Sequence, residues 1–400
     1  MMEKRKLSSS EESQYDHKLS SLESKRLKSS DFRTEDLTDI GVFFADNPIT
    51  VLEVKEKLQL ALEIIPQNDR RSCTNLRRRN TVKIPNCIES LCKFTKEHVT
   101  FTLEDVDWNK KVSLAPKFRN ELLEIEREAI IDLQKAKTEL MKFSDEFLND
   151  ETNQFGLFTD KHDRLGKRMF LDWSTNTSRF LAEIKKVLEK LSSPLEVPPE
   201  PIRDKIEDVI LREGVFTSLF MKFAEIFFLQ PDFGEHKTIS LKIRNKYIGC
   251  IPDVRFNQSV QKSEGRSCLL LMLAEVKKDV LKVPDDDDDS KTPWIEKKLK
   301  KQVLGQIGSQ LLLECWHSVF VPKSLGIVCI GTEIIFLYMD TEFDHYEALM
   351  ANNITDSHRS TIQYTKSFDI MKMEDRNELV DFLFWLGCLQ IQDFNEYFCC

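Results

Sequence analysis

The chain has 400 residues, enough for two or three domains, with 41% apolar residues to build a core and a net charge of −9. That balance excludes a basic nucleic-acid coat, so any contact with a polyanion must use local patches. The ten cysteines include no Cys-x-x-Cys pair, which leaves neither a zinc site nor a disulfide framework signalled and suits a reducing compartment.

In chain order, residues 1–34 are rich in Ser, Lys, Glu and Arg and read as a disordered tail. Its clusters Lys4-Arg5-Lys6 and Lys25-Arg26-Leu27-Lys28 suit a nuclear import signal, a nucleic-acid arm or a plain solvated tail. No secretory signal opens the chain and no run of about eighteen apolar residues occurs, so the expected location is intracellular, nucleus or cytoplasm. Residues 35–193 read as mostly helical. Val51 to Ile65 has helical periodicity, and Arg77-Arg78-Arg79 beyond it is the densest positive charge, suited to holding phosphates, to a solvated loop or to a substitute import signal.

From Pro116 onward, Phe118, Leu122, Ile125, Ala129, Leu133, Ala136, Leu140, Phe143 and Phe147 fall in steps of three and four, a continuous helical stripe. Leu165, Met169, Trp173, Phe180, Ile184, Val187 and Leu191 mark a second helix. The short connection predicts an antiparallel helical hairpin over residues 116–191, suited to a scaffold or a homodimer contact. Four prolines between Pro194 and Pro201 then mark a linker over 194–201.

Residues 202–400 read as an α/β domain with a mixed sheet flanked by helices. The expected order is a helix over Ile202 to Leu229 and strands over Thr238 to Arg244, Tyr247 to Phe256, and a run ending at Glu275-Val276-Lys277. An acidic loop with Asp285 to Asp289 and one long helix from Trp294 to His317 follow. Gly326 to Ile330 and Glu333 to Met339 flank a hairpin turn at Gly331-Thr332. A strand over Thr361 to Phe368 and a helix from Asp375 to Tyr397 close the chain.

The chemistry concentrates at the third strand. The apolar run Cys268 to Ala274 reads as buried, and period two puts Glu275 and Lys277 on one face. Asp253, in Ile251-Pro252-Asp253, can join them from the neighbouring strand. Two carboxylates and an amine at adjacent strand ends are what Mg²⁺-dependent phosphodiester hydrolysis requires, with Asp253, Glu275 and the backbone carbonyl of Val276 as metal ligands. Glu-x-Lys alone carries little weight, since Glu53-Val54-Lys55 repeats it inside a helical pattern. The histidines show no metal spacing, and Gly305 and Gly308 lie in a helix, where they suit close packing on the sheet.

This order of elements, with Pro-Asp before Glu-x-Lys, resembles the core of the PD-(D/E)xK nuclease superfamily over roughly residues 200–340, in a branch like those of eukaryotic mobile elements and secreted effectors. The resemblance implies a restriction-endonuclease-like αβββαβ core, with Asp253, Glu275 and Lys277 as its site. It also implies a supporting glutamate on the first helix and a glutamine on the helix after the third strand. Glu213 is the first choice for the glutamate, ahead of Glu207 and Glu225. Gln302, Gln306 and Gln310 share one helical face, and Gln306 is favoured, then Gln302, to position Lys277 or the substrate. The expected function is a Mg²⁺- or Mn²⁺-dependent nuclease on DNA rather than RNA; the alternative is an inactive nuclease fold that binds nucleic acid or protein.

Overall fold

The computed structural model describes residues 26–28, 31–63, 84–108, 116–149, 164–192, 213–233, 239–243, 246–262, 265–277, 292–351 and 353–398. Arg77, Arg78, Arg79, the segment 194–201 and the aspartate run lie outside them. In chain order the elements are β1 (Arg26–Lys28), α1 (Thr34–Asp39), β2 (Val42–Phe44), α2 (Val51–Glu63), α3 (Cys87–His98), α4 (Pro116–Leu148), α5 (Arg164–Ser192) and α6 (Glu213–Glu225). There follow β3 (Pro231–Asp232), β4 (Ile239–Ile243), β5 (Lys246–Cys250), β6 (Val254–Lys262) and β7 (Gly265–Lys277). The last third comprises α7 (Trp294–Lys298), α8 (Lys301–Glu314), β8 (Ser324–Ile330), β9 (Glu333–Asp340), α9 (Phe343–Ala351), β10 (Ser360–Tyr364), β11 (Phe368–Asp369), α10 (Met373–Ile391) and α11 (Phe394–Phe398).

The architecture is α/β. A mixed sheet runs β2-β10-β9-β8-β7-β6-β3, with β11 as an eighth strand on β9. β7 and β8 are parallel, joined through α8, whereas β6–β7 and β8–β9 are antiparallel. Both faces of the sheet are covered, which explains why its central strands are apolar almost throughout. Along β9, Ile334, Phe336 and Tyr338 enter the core that holds α6 and α10, while Ile335, Leu337 and Met339 enter the core under α8. The same period of two puts Ala274 and Val276 in the first core and Leu273 in the second. Glu275 therefore belongs to the α8 face.

Several expectations need correction. The stretch Tyr247 to Phe256 is two strands. Lys246–Cys250 pairs with β4 and β1 in a small separate sheet, and Val254–Lys262 joins the large one. Pro252 separates them, because it has no N–H to give a ladder, and Asp253 lands at the entrance of β6. The helix from Trp294 to His317 is broken at Leu299 and Lys300, whose ψ angles of 147° and 140° are extended. Residues 315–317 finish as a 3₁₀ turn. The last helix stops at Ile391, where Gln392 takes φ 63°, and restarts at Phe394.

The tail over 1–34 is not disordered throughout. Arg26–Lys28 pairs in parallel with Tyr247–Gly249, and Phe32 is buried. Beyond it, β2 pairs in parallel with β10, so the region ahead of residue 193 supplies an edge strand to the C-terminal sheet. Gly305 explains how the chain docks. A Cβ there would lie 2.3 Å from the Phe32 carbonyl oxygen, so α8 touches the N-terminal backbone directly. Its close approach is to that segment rather than to the sheet, while Gly308 abuts Leu37 and Ile362.

The helices α2 to α5 share one core with α6 and α10. Between α4 and α5, Phe147 stacks on Phe170 at 3.8 Å and Ser144 Oγ meets Ser174 Oγ at 2.7 Å. Their connection lies outside the described residues. No helix among the described residues is long and apolar enough to cross a membrane.

Candidate active site

The site forms where β7 leaves the sheet. Pairing of Val254 with Ala274 brings Asp253 beside the end of β7. The Val276 N–H donates to Asp253 Oδ2 at 2.7 Å, which fixes this half-buried carboxylate against the strand. Glu275 is 1% exposed. Lys277 Nζ lies 2.6 Å from Glu275 Oε1 and donates to Glu213 Oε1 at 3.2 Å. The period-two argument thus places acid and amine side by side, and Glu213, first residue of α6, reaches them from another element. The Gly331 N–H donates to the Lys277 carbonyl at 2.9 Å, so the β8–β9 turn closes the same end of the sheet.

The glutamines of α8 reach Glu275, not Lys277. Gln306 Nε2 donates to Glu275 Oε1, and Gln310 Nε2 donates to Oε2 at 2.7 Å. Gln310 is fully buried, whereas Gln302, one turn the other way, is exposed. Gln310 was the residue that sequence reasoning passed over. Its signal was the four-residue spacing, which identifies the face but not which end of the helix lies deepest. Glu225 is elsewhere, paired with Lys222 at 2.7 Å, and Glu207 lies outside the described residues.

The electrostatics are those of two acids sharing one ammonium. Burial, with the Asp253 charge beside it, pushes Glu275 up to about 7 against the pull of Lys277. Burial also raises Asp253, although the Val276 N–H and Lys277 oppose it. Burial acts to lower the Lys277 ammonium, but Glu275, Asp253 and Glu213 outweigh it and hold it above its ordinary value. Among the described residues, Lys277 is the cation beside the pair. Mg²⁺ is a hard ion commonly held by one or two carboxylates, with waters and phosphate filling its octahedron. The donor set of Asp253, Glu275 and the Val276 carbonyl fits such an ion. No cluster of three His, Cys, Asp or Glu residues suited to a metal occurs among the described residues.

A pH dependence follows. Glu275 has a folded pKa near 7 against an ordinary 4.5. An acid with a raised folded pKa gives its stabilisation fully below the unfolded value and loses it as pH rises through the folded one. The metal-free protein should therefore lose on the order of 3 kcal/mol between pH 5 and 8 from this group. Glu314, buried against Arg255 and also pushed to about 7, adds a loss of the same sign. Denaturant melts of wild type and Glu275→Gln separate the two. The Glu275 part should vanish in the variant and be recovered in wild type by Mg²⁺; identical pH slopes would remove the assignment.

Gln310 should matter more than its distance from solvent suggests. Gln310→Leu removes one of the two amides aiming Glu275, and a lost hydrogen bond to a charged group costs about 1.5–3 kcal/mol. Titration with Mn²⁺ should show an affinity loss of about tenfold or more. An unchanged affinity in a folded variant would make Gln310 a packing residue.

Elsewhere, buried His345 bridges Ser360 Oγ at 2.6 Å and the Ile40 carbonyl at 2.9 Å, a satisfied polar-core histidine. No protein family, no curated protein and no solved structure matches the chain.

Proposed function

We propose that the chain is a Mg²⁺- or Mn²⁺-dependent phosphodiester hydrolase acting on DNA, built on a restriction-endonuclease-like core with an N-terminal helical hairpin. The observation that carries this reading is the convergence of Asp253, Glu275 and Lys277 at the open end of β7, buttressed by Glu213 and Gln306. The crossover from β7 through α8 to a parallel β8, with the glutamine face of α8 turned to Glu275, supports the same core.

A bound Mg²⁺ would polarise the phosphate and acidify a water for attack. The chain's own residues supply the rest. Asp253 and Glu275 would hold the ion, and Gln306 and Gln310 fix the Glu275 carboxylate. Lys277, steadied by Glu213, offers a positive charge and a donor where charge develops on the phosphorus oxygens. The water oxygen bonds to phosphorus, the ester oxygen leaves, and that oxygen takes up a proton.

One observation favours a second reading, a nuclease fold that binds without cutting. Lys277 Nζ already sits between two carboxylates, within 2.6 Å of Glu275 and 3.2 Å of Glu213. An ammonium locked there would substitute for the cation instead of assisting it.

The deciding experiment is cleavage of labelled single- and double-stranded DNA, with RNA alongside, in Mg²⁺ or Mn²⁺, comparing wild type with Lys277→Ala. Cutting by wild type that is lost in the variant supports the hydrolase. Binding without cutting, unaffected by Glu275→Ala, supports the silent module. Cutting of RNA alone would move the substrate class.

A further inference from the structure

The groove between α4 and α5 is a continuous feature of the surface away from the candidate active site. Two clefts of about 630 and 490 Å³ run along it and a third of about 640 Å³ lies beside it on α4 alone, and Met141 lines all three. Met141 is 54% exposed, a large apolar side chain at the centre of a polar face. Across the groove α5 presents short side chains, Ser174, Ser178 and Ala182, which leave room for an incoming helix.

The charges on this groove are arranged about Met141. Lys137 lies one helical turn before it and Asp145 one turn after it, on the same face. Neither has an ion-pair partner among the described residues. The neighbouring lysines are paired within the chain. Lys185 pairs with Glu189 at 3.6 Å, Lys186 with Glu183 at 3.0 Å, and Lys142 with Glu146 at 3.9 Å. Arg179, at the Asp145 end, donates to Asn176 Oδ1.

A face with an unpaired cation and an unpaired anion at equal distances from a central apolar residue is its own complement. When two copies of a helix cross antiparallel about a two-fold axis, residues equally far before and after the axis meet. An axis at Met141 brings Lys137 of each copy onto Asp145 of the other, with the two Met141 side chains packed between them. A peptide or surface of single charge would match one end of the groove and oppose the other.

We propose that this groove is an isologous interface between two copies of the chain, with α4 crossing its counterpart antiparallel at Met141 and held by two reciprocal Lys137–Asp145 ion pairs. It does not depend on the hydrolase reading, because none of its residues lies at the Glu275 site.

The test is the mass of the full chain in solution, by sedimentation equilibrium, for wild type, Lys137→Glu, Asp145→Lys, the equimolar mixture of the two variants, and the double variant. Wild type should be a dimer. Each single variant places like charges opposite each other twice and should weaken association about tenfold or more. The mixture restores both pairs in a heterodimer, and the double variant restores both in a homodimer, so each should associate as wild type does. That rescue cannot arise from misfolding. A monomeric wild type, a dimer indifferent to the single swaps, or a mixture that stays monomeric would each overturn the proposal.

Discussion

Lys277→Ala should lower the rate of phosphodiester cleavage by about a hundredfold to a thousandfold, the usual cost of removing one donor aimed at developing charge, while leaving divalent-ion affinity intact or tighter. The two effects separate because, among the described residues, Lys277 is the positive charge that acts on both Glu275 and Asp253. Deleting it makes the acidic pair more negative, and a divalent cation gains what the ammonium no longer supplies. Asp253→Ala has the opposite signature, since it removes an oxygen ligand and one of the two charges. Affinity for Mn²⁺ should fall along with cleavage. Measuring Mn²⁺ binding and turnover on both variants therefore distinguishes a catalytic lysine from a lysine that merely neutralises two buried acids. If Lys277→Ala gained affinity and kept its turnover, Lys277 would be a counterion and nothing more.

Glu53-Val54-Lys55 shows why context decided this site. The same tripeptide begins α2, where Glu53 Oε2 accepts from the Thr50 N–H at 2.7 Å and Thr50 Oγ1 accepts from the Glu53 N–H at 3.1 Å. That reciprocal pair is a capping box, which starts a helix. At Glu275 the preceding seven apolar residues identified a buried strand, and alternation did the rest. The turn at Gly331 was legible because its φ of 59° lies in the left-handed region that glycine enters most readily.

What stayed hidden was short or distant. Arg26–Lys28 and Val42–Phe44 are three residues each, too short to display a period, and their partners lie hundreds of residues away. The division at Pro252 was visible as a proline, but nothing local says that the two halves join different sheets. Gln302, Gln306 and Gln310 are equivalent in sequence. Only the tilt of α8 across β7 makes Gln306 and Gln310 the pair that reaches Glu275.

Arg376→Met should be among the most destabilising single changes in the chain, at about 3–5 kcal/mol. Arg376 is 3% exposed, and among the described residues no carboxylate pairs with it. Its Nη1 donates to the Ile370 carbonyl at 2.9 Å, and its Nη2 to the carbonyls of Val99, at 2.9 Å, and Phe101. The guanidinium carbon lies 4.0 Å from the Phe101 ring centroid, a cation–π contact inside the core. Burial pushes the guanidinium below its ordinary value, and Asp369, Glu374 and Asp375 offset only part of that.

One side chain thus joins the segment after α3 to the start of α10, where Leu103 N–H to Met371 carbonyl (3.2 Å) and Met373 N–H to Thr102 Oγ1 (3.2 Å) add two more links. Methionine fills similar space but donates nothing, so three buried carbonyls lose their partner at once. Lysine keeps the charge yet cannot present a planar fork, and Arg376→Lys should recover only part of the loss. Urea melts of the three proteins measure this directly. A loss below about 1 kcal/mol for Arg376→Met would mean that water or rearranged backbone satisfies the carbonyls.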